Sequence, residues 1–146
     1  MADRRQRSKR HSNSKQKLLK GFTLYLCHNI DCDDIVDTLR RNGIRVKRHR
    51  EFFSGSTPDT ELLKKVGKLR WILITADQKQ RTRNIEKEMI KRYKVRQFVL
   101  TSAEIGNIGQ LIVDARKPMR NLCSKNAGPF VASISAGGTV ALRSLI

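Results

Sequence analysis

Trp71-Ile72-Leu73-Ile74-Thr75-Ala76-Asp77, followed by Gln78-Lys79-Gln80-Arg81-Thr82-Arg83, decides how the rest of the chain is read. Its apolar run shows no alternation. It therefore predicts a short strand buried on both faces, as in the interior of a parallel sheet. The run stops at Thr75-Ala76-Asp77, where the chain leaves the sheet. In open α/β sheets ligands bind outside the carboxyl ends of the strands, so Asp77 is aimed at the place where a site forms. Lys79, Arg81 and Arg83 follow at once and suit a polyanion. A carboxylate at a strand end, backed by cations, points to a metal ion used on phosphates.

The flanking segments give the strand its companions. Phe22–Cys27 predicts a first strand. The following helix has Asp33 and Asp34 in its first turn, Arg40 and Arg41 in its last, and an Asn42-Gly43 stop. Ile35, Val36 and Leu39 form its inner face. Ile44–Arg48 alternates apolar and basic residues, as a strand with one solvated face does. Phe52-Phe53-Ser54-Gly55-Ser56 reads as a loop into a helix with Thr57 at the N-cap and Pro58 at the first helical position. Leu62, Leu63, Val66 and Leu69 make that helix's apolar stripe. A basic helix over about 82–93 is expected to turn Ile85, Met89 and Tyr93 inward. Gln97–Leu100 predicts a strand. Helical spacing then runs from about 104 to Leu122, with Pro118 kinking or restarting the helix. Pro129–Ile134 and Thr139–Arg143 flank Ser135-Ala136-Gly137-Gly138, a hairpin signal. The pattern predicts a three-layer α/β/α fold with a mainly parallel sheet and a C-terminal β-hairpin.

The chain has 146 residues, one domain's worth, and a formal charge of +18 from 31 Lys+Arg against 13 Asp+Glu. Residues 1–20 carry eight Lys/Arg and one Asp, yet +11 remains on the rest. Residues 1–20 hold almost nothing apolar and are expected to be a disordered basic arm. A body this basic points to a nucleic acid partner, with an acidic protein as the other class. Three scattered cysteines argue against a disulfide framework and for a cytoplasmic setting, and no apolar run is long enough to span a membrane.

The carboxylates worth weighing lie at strand ends and helix starts: Asp31 after the first strand, Asp59 opening the helix before the Trp71–Asp77 stretch, and Asp77 itself. Two or three of them on one rim would hold Mg²⁺ or Mn²⁺, hard cations that take oxygen ligands. Each also has a plainer use, Asp59 with its helix dipole and Asp77 as a helix cap. Cys27, His28, Cys32, His49 and Cys123 lack the paired spacings of a zinc site. There is no G-x-S-x-G elbow and no Gly-rich phosphate loop.

Several of these residues together resemble a family. Tyr25-Leu26-Cys27-His28-Asn29-Ile30 and Leu39-Arg40-x-x-Gly43-Ile44-x-Val46 are similar to the opening of PIN-like domains related to VapC-type toxins. The likeness continues through Phe52/Phe53, Pro58-Asp59-x-x-Leu62-Leu63 and Ile72-Leu73-Ile74-Thr75-x-Asp77. It closes at Phe98–Leu100, Gly128-Pro129-Phe130 and Gly138-x-Val140, so residues 21–146 read as the PIN-like domain. The resemblance implies a metal-dependent endoribonuclease, often the toxin of a toxin–antitoxin pair, using Mg²⁺ or Mn²⁺ against an RNA phosphodiester. On it, Asp59 and Asp77 are the catalytic metal-holding acids, with Asp31 as a third ligand. Lys79, Arg81, Arg83 and Arg50 would meet the RNA backbone, and an acidic antitoxin would be a protein partner. The family usually has an Asp at the end of the first strand, where this chain has Cys27. Either Asp31 takes over that role or the metal site is weakened, and a PIN-like domain that only binds nucleic acid is the alternative.

Overall fold

A computed structural model describes residues 22–54, 57–77, 84–101 and 107–143. The basic arm expected over residues 1–20 lies outside them. Six strands form one sheet: β1 (Thr23–Leu26), β2 (Arg45–Arg48), β3 (Ile72–Thr75), β4 (Arg96–Leu100), β5 (Phe130–Ser135) and β6 (Thr139–Arg143). Their order is β2-β1-β3-β4-β5-β6, parallel throughout except for the β5–β6 hairpin. The helices are α1 (Asp33–Arg41), α2 (His49–Phe52), α3 (Asp59–Leu69), α4 (Asn84–Arg92), α5 (Ile108–Asp114) and α6 (Arg116–Lys125). No helix among the described residues is long and apolar enough to cross a membrane.

Unalternating strands are apolar because both faces are covered. Ile72 and Ile74 join Ile35, Leu39, Ile108, Ile112 and Met119 on one side, whereas Leu73 joins Leu62, Leu63, Val66 and Ile90 on the other. Helices α1, α5 and α6 thus cover one face and α3 and α4 the opposite one, giving the expected three layers. The steps β3→β4 and β4→β5 run the same way across the sheet, yet their helices lie on opposite faces. The β4–β5 connection therefore has the opposite hand to the other three, against the usual rule for parallel strands.

Several local expectations are corrected. Helix α3 starts at Asp59 with an extended Pro58 before it, so Thr57 is not its cap; the Thr57 hydroxyl meets Ser54 Oγ at 3.2 Å instead. Part of the expected Phe52–Ser56 loop is helix α2. Its entry is closed by the Arg48 amide, which donates to Glu51 Oε1 at 3.0 Å. Leu69 is 49% exposed, because α3 stops there and Arg70 takes a left-handed conformation that turns the chain into β3. Ile85 is 67% exposed and Ile90 takes the inner position. The cause is a close approach: a Cβ on Gly67 would lie 2.5 Å from Tyr93 Cβ, so the bare glycine lets Tyr93 seat against α3 and fixes the rotation of α4. Pro118 follows a restart at Ala115, where α5 gives way to α6.

Candidate active site

Strand β1 sits between β2 and β3, and the chain leaves it towards β2 on one face and returns to β3 on the other. That crossing makes a crevice at the carboxyl ends of β1 and β3, the usual ligand position in such sheets. Cys27 ends β1, its amide donating to the Ile74 carbonyl at 3.1 Å. Thr75, fully buried, ends β3. Its hydroxyl hydrogen-bonds the Cys27 sulfur and accepts from the Asp77 amide at 3.0 Å, which fixes where the chain turns out of the sheet.

Asp59 arrives from a third direction, at the first position of α3. Asp59 and Asp77 both act on the thiol. Burial pushes the Cys27 thiol up to about 12; the Thr75 hydrogen bond works against the rise, and the charges of Asp59 and Asp77 add to it. Two of the sequence-predicted acids therefore act on the thiol that follows β1. At neutral pH that thiol is uncharged.

Asp31 has gone elsewhere. Its buried carboxylate accepts from Arg48 Nε at 2.6 Å and from the Arg50 amide and Nε at 3.0 and 3.2 Å. Arg50 Nη2 also donates to the Asp31 carbonyl at 2.8 Å, and Arg48 Nη1 reaches Asp33 at 2.8 Å. Burial alone would raise the Asp31 carboxyl, but the hydrogen bonds from Arg48 and Arg50 outweigh it and hold the group below its ordinary range. Arg50, expected on the nucleic acid, is thus tied to Asp31, although its side chain remains 58% exposed. Lys79, Arg81 and Arg83 lie outside the described residues.

A second buried pair supports the loop before Asp59. Tyr25 Oη lies 2.7 Å from His49 Nδ1, and His49 Nε2 lies 3.0 Å from the Ser54 carbonyl. A carbonyl only accepts, so Nε2 carries a proton, and in the neutral ring the tyrosine hydroxyl then donates to Nδ1. Burial raises the Tyr25 pKa, and the charges of Cys27 and Asp31 act in the same direction. The segment running to Asp59 is thereby anchored on β1.

Sequence reasoning missed Thr75, Arg48 and the Tyr25–His49 pair. Thr75 stands inside the quoted Ile-Thr-x-Asp motif and could have been found there. The Arg48–Asp31 pairing spans seventeen residues and two elements, so nothing in the spacing signals it. Among the described residues, no group of three or more His, Cys, Asp or Glu side chains is placed to hold a metal ion. The charges of Asp59 and Asp77 reach Cys27, but the three side chains do not make such a group.

Neither a curated protein nor a solved structure matches the chain. Residues 28–102, just over half of the sequence, match the profile described as a PIN like domain. That match spans the segment from the end of β1 through β4, and by it this chain belongs to the PIN-like domain family.

Proposed function

We propose that this PIN-like domain is a metal-dependent endoribonuclease, with Asp59 and Asp77 as its catalytic metal-holding acids. The observation that carries the reading is the action of both carboxylates on Cys27, at the crevice between β1 and β3. Two carboxylates fit Mg²⁺ or Mn²⁺, because Mg²⁺ is commonly held by one or two carboxylates together with waters and substrate phosphate. When bound, such an ion supplies a nucleophilic hydroxide and neutralises charge on the phosphodiester. The chain's own residues do the positioning. Thr75 sets the backbone direction of Asp77, and the Tyr25–His49–Ser54 bonds hold the approach to Asp59. Asp31, the third ligand implied by the resemblance, serves in this reading through Arg48 and Arg50, by fixing the loop after β1 to the corner after β2.

Lys79, Arg81 and Arg83 follow Asp77 in the sequence and would meet RNA phosphates, helped by Arg50 and the basic arm. Such contacts position a strand without reading its bases. A VapC-type toxin role in the cytoplasm, with an acidic antitoxin to cover the +18 charge, belongs to the same proposal. Cys27 favours a second reading. A neutral thiol is a poor ligand for Mg²⁺, so the domain would then bind RNA and cleave nothing.

Titration calorimetry of Mn²⁺ into the full chain, beside Asp77→Asn, tests the first reading together with cleavage of single-stranded RNA. The expected result is Mn²⁺ binding that depends on Asp77 and a loss of cleavage of about a hundredfold or more in the variant. RNA binding without turnover in the parent protein would replace it with the second reading, and equal cleavage by both proteins would remove Asp77 from the mechanism.

A further inference from the structure

On the sheet face covered by α3 and α4, the β1–β2 end is only partly roofed. In a parallel pair, register partners point the same way. Lys47 therefore stands beside Tyr25, and Arg45 beside Thr23, on the face where Tyr25 packs. Trp71 stacks on Tyr25 with ring centres 5.8 Å apart and planes 6° from parallel. Phe52 packs on Trp71 at 4.9 Å, and Phe53 meets Tyr25 edge-on at 6.3 Å. The Lys65 ammonium lies 5.1 Å from the Phe52 ring and 5.5 Å from the Phe53 ring. The chain has one Trp, two Tyr and five Phe, so half of its aromatic side chains gather at this spot. Phe52, Phe53 and Trp71 are all half-buried, so ring surface reaches solvent.

Lys65 thus lies over two half-covered rings, with Arg45 and Lys47 on the same face of the neighbouring strand. Glu51 is the carboxylate of α2, and it is turned away, with Oε1 on the Arg48 amide and 3.8 Å from Arg40. Phe53 also touches His49, whose other bond holds Ser54 on the path to Asp59, so the patch is continuous with the candidate site. Rings with cations beside them match bases with phosphates beside them. Only unstacked bases can offer their faces to such a surface.

We infer that Phe52, Phe53 and Trp71, ringed by Arg45, Lys47 and Lys65, form a platform that stacks bases of single-stranded RNA and leads the strand to the Asp59–Asp77 crevice. The inference rests on the nucleic-acid part of the proposed function and is independent of turnover.

Trp71 is the chain's single tryptophan, so its emission reports on the platform alone. The full chain, in EDTA to prevent cleavage, is titrated with a labelled oligouridine and with the same strand in a duplex. Anisotropy gives affinity and Trp71 emission gives location. The expected result is a saturating quench by the single strand and weaker binding of the duplex. Phe52→Leu, which keeps an apolar side chain but removes the ring, should weaken binding by roughly tenfold. The Lys47→Ala/Lys65→Ala double variant should lower the slope of log affinity against log salt by about 1.4, two phosphate contacts' worth on a single strand. Tight RNA binding with unchanged Trp71 emission and with both variants at parental affinity would overturn the platform, as would no RNA binding at all. A quench that persists while Mn²⁺ brings no cleavage supports the platform and removes the nuclease.

Discussion

Two sets of carboxylates share the rim of this sheet and act on different neighbours. Asp31 is buried between Arg48 and Arg50, its oxygens met by three donors from the corner after β2. The negative charge of Asp59 and Asp77 reaches the Cys27 thiol and adds to the rise in its pKa that burial causes. An acid compensated by two guanidinium groups is spent on holding loops together. The two acids of the proposed site instead add negative potential at an uncharged sulfur. Nearness in sequence to the end of β1 therefore does not keep Asp31 from being claimed by Arg48 and Arg50.

The largest expected effect breaks the first set. Asp31→Asn leaves the mostly covered Arg48 with only the exposed Asp33 as its carboxylate partner. It should cost about 3 kcal/mol, the low end for a disrupted buried pair because Arg50 still reaches solvent. Asp77→Asn should stay within about 1 kcal/mol of the parent, since half-buried rim positions contribute less to folding. Urea unfolding of both variants decides the matter, and equal losses would erase the distinction. The pH dependence sharpens it. The Asp31 carboxyl is held below its ordinary range when folded, so its contribution is fully present above the ordinary carboxyl pKa and is lost as pH falls through the folded value. Asp31→Asn should accordingly flatten the acid limb of the stability curve.

The fold was legible because its signals are local. Ile72–Ile74 is apolar at every position and, with Thr75, proved buried at every position; Gly43 ends α1 with φ 74°; and Ser135–Gly138 turns the hairpin, with Gly137 and Gly138 at φ 80° and 81°. Expectations failed where a distant element set the geometry. Ile85 has the right period for an inner position, but Tyr93 against Gly67 turns α4 to bury Ile90. The candidate site divides in the same way. Asp59 and Asp77 were legible as a helix start and a strand end. The arginines that claim Asp31 lie in a basic stretch, Arg45–Arg50, that reads as a solvated face until β1 and β2 are laid side by side.

A somewhat smaller effect tests the second set. Cys27→Asp puts a third carboxylate against Asp59 and Asp77, where like charges repel and raise one another's pKa values. Without metal the variant should be less stable than the parent. Mn²⁺ should restore it by about 2.7 kcal/mol at a hundred times the dissociation constant, while shifting the melting of the parent less. Thermal melts with and without Mn²⁺ measure this. Equal metal responses in the two proteins would mean that the first-strand position contributes nothing to cation binding.

The smallest effect asks whether the buried polar pair between the two sets is part of the site or only of the core. Tyr25→Phe removes the hydroxyl that donates to His49 Nδ1 and leaves that nitrogen without its partner, a loss of about 1–2 kcal/mol. The aromatic contacts with Trp71 and Phe53 remain, because the ring is unchanged. His49 also bonds the Ser54 carbonyl, so a loosened imidazole frees the segment that carries the chain to Asp59. If that segment positions Asp59, Mn²⁺ affinity falls several-fold in Tyr25→Phe at a temperature where the protein is fully folded. If stability falls while Mn²⁺ affinity holds, Asp59 is positioned by α3 alone. The pair then belongs with Asp31, as a fastening of the rim rather than a support of the acids that face Cys27.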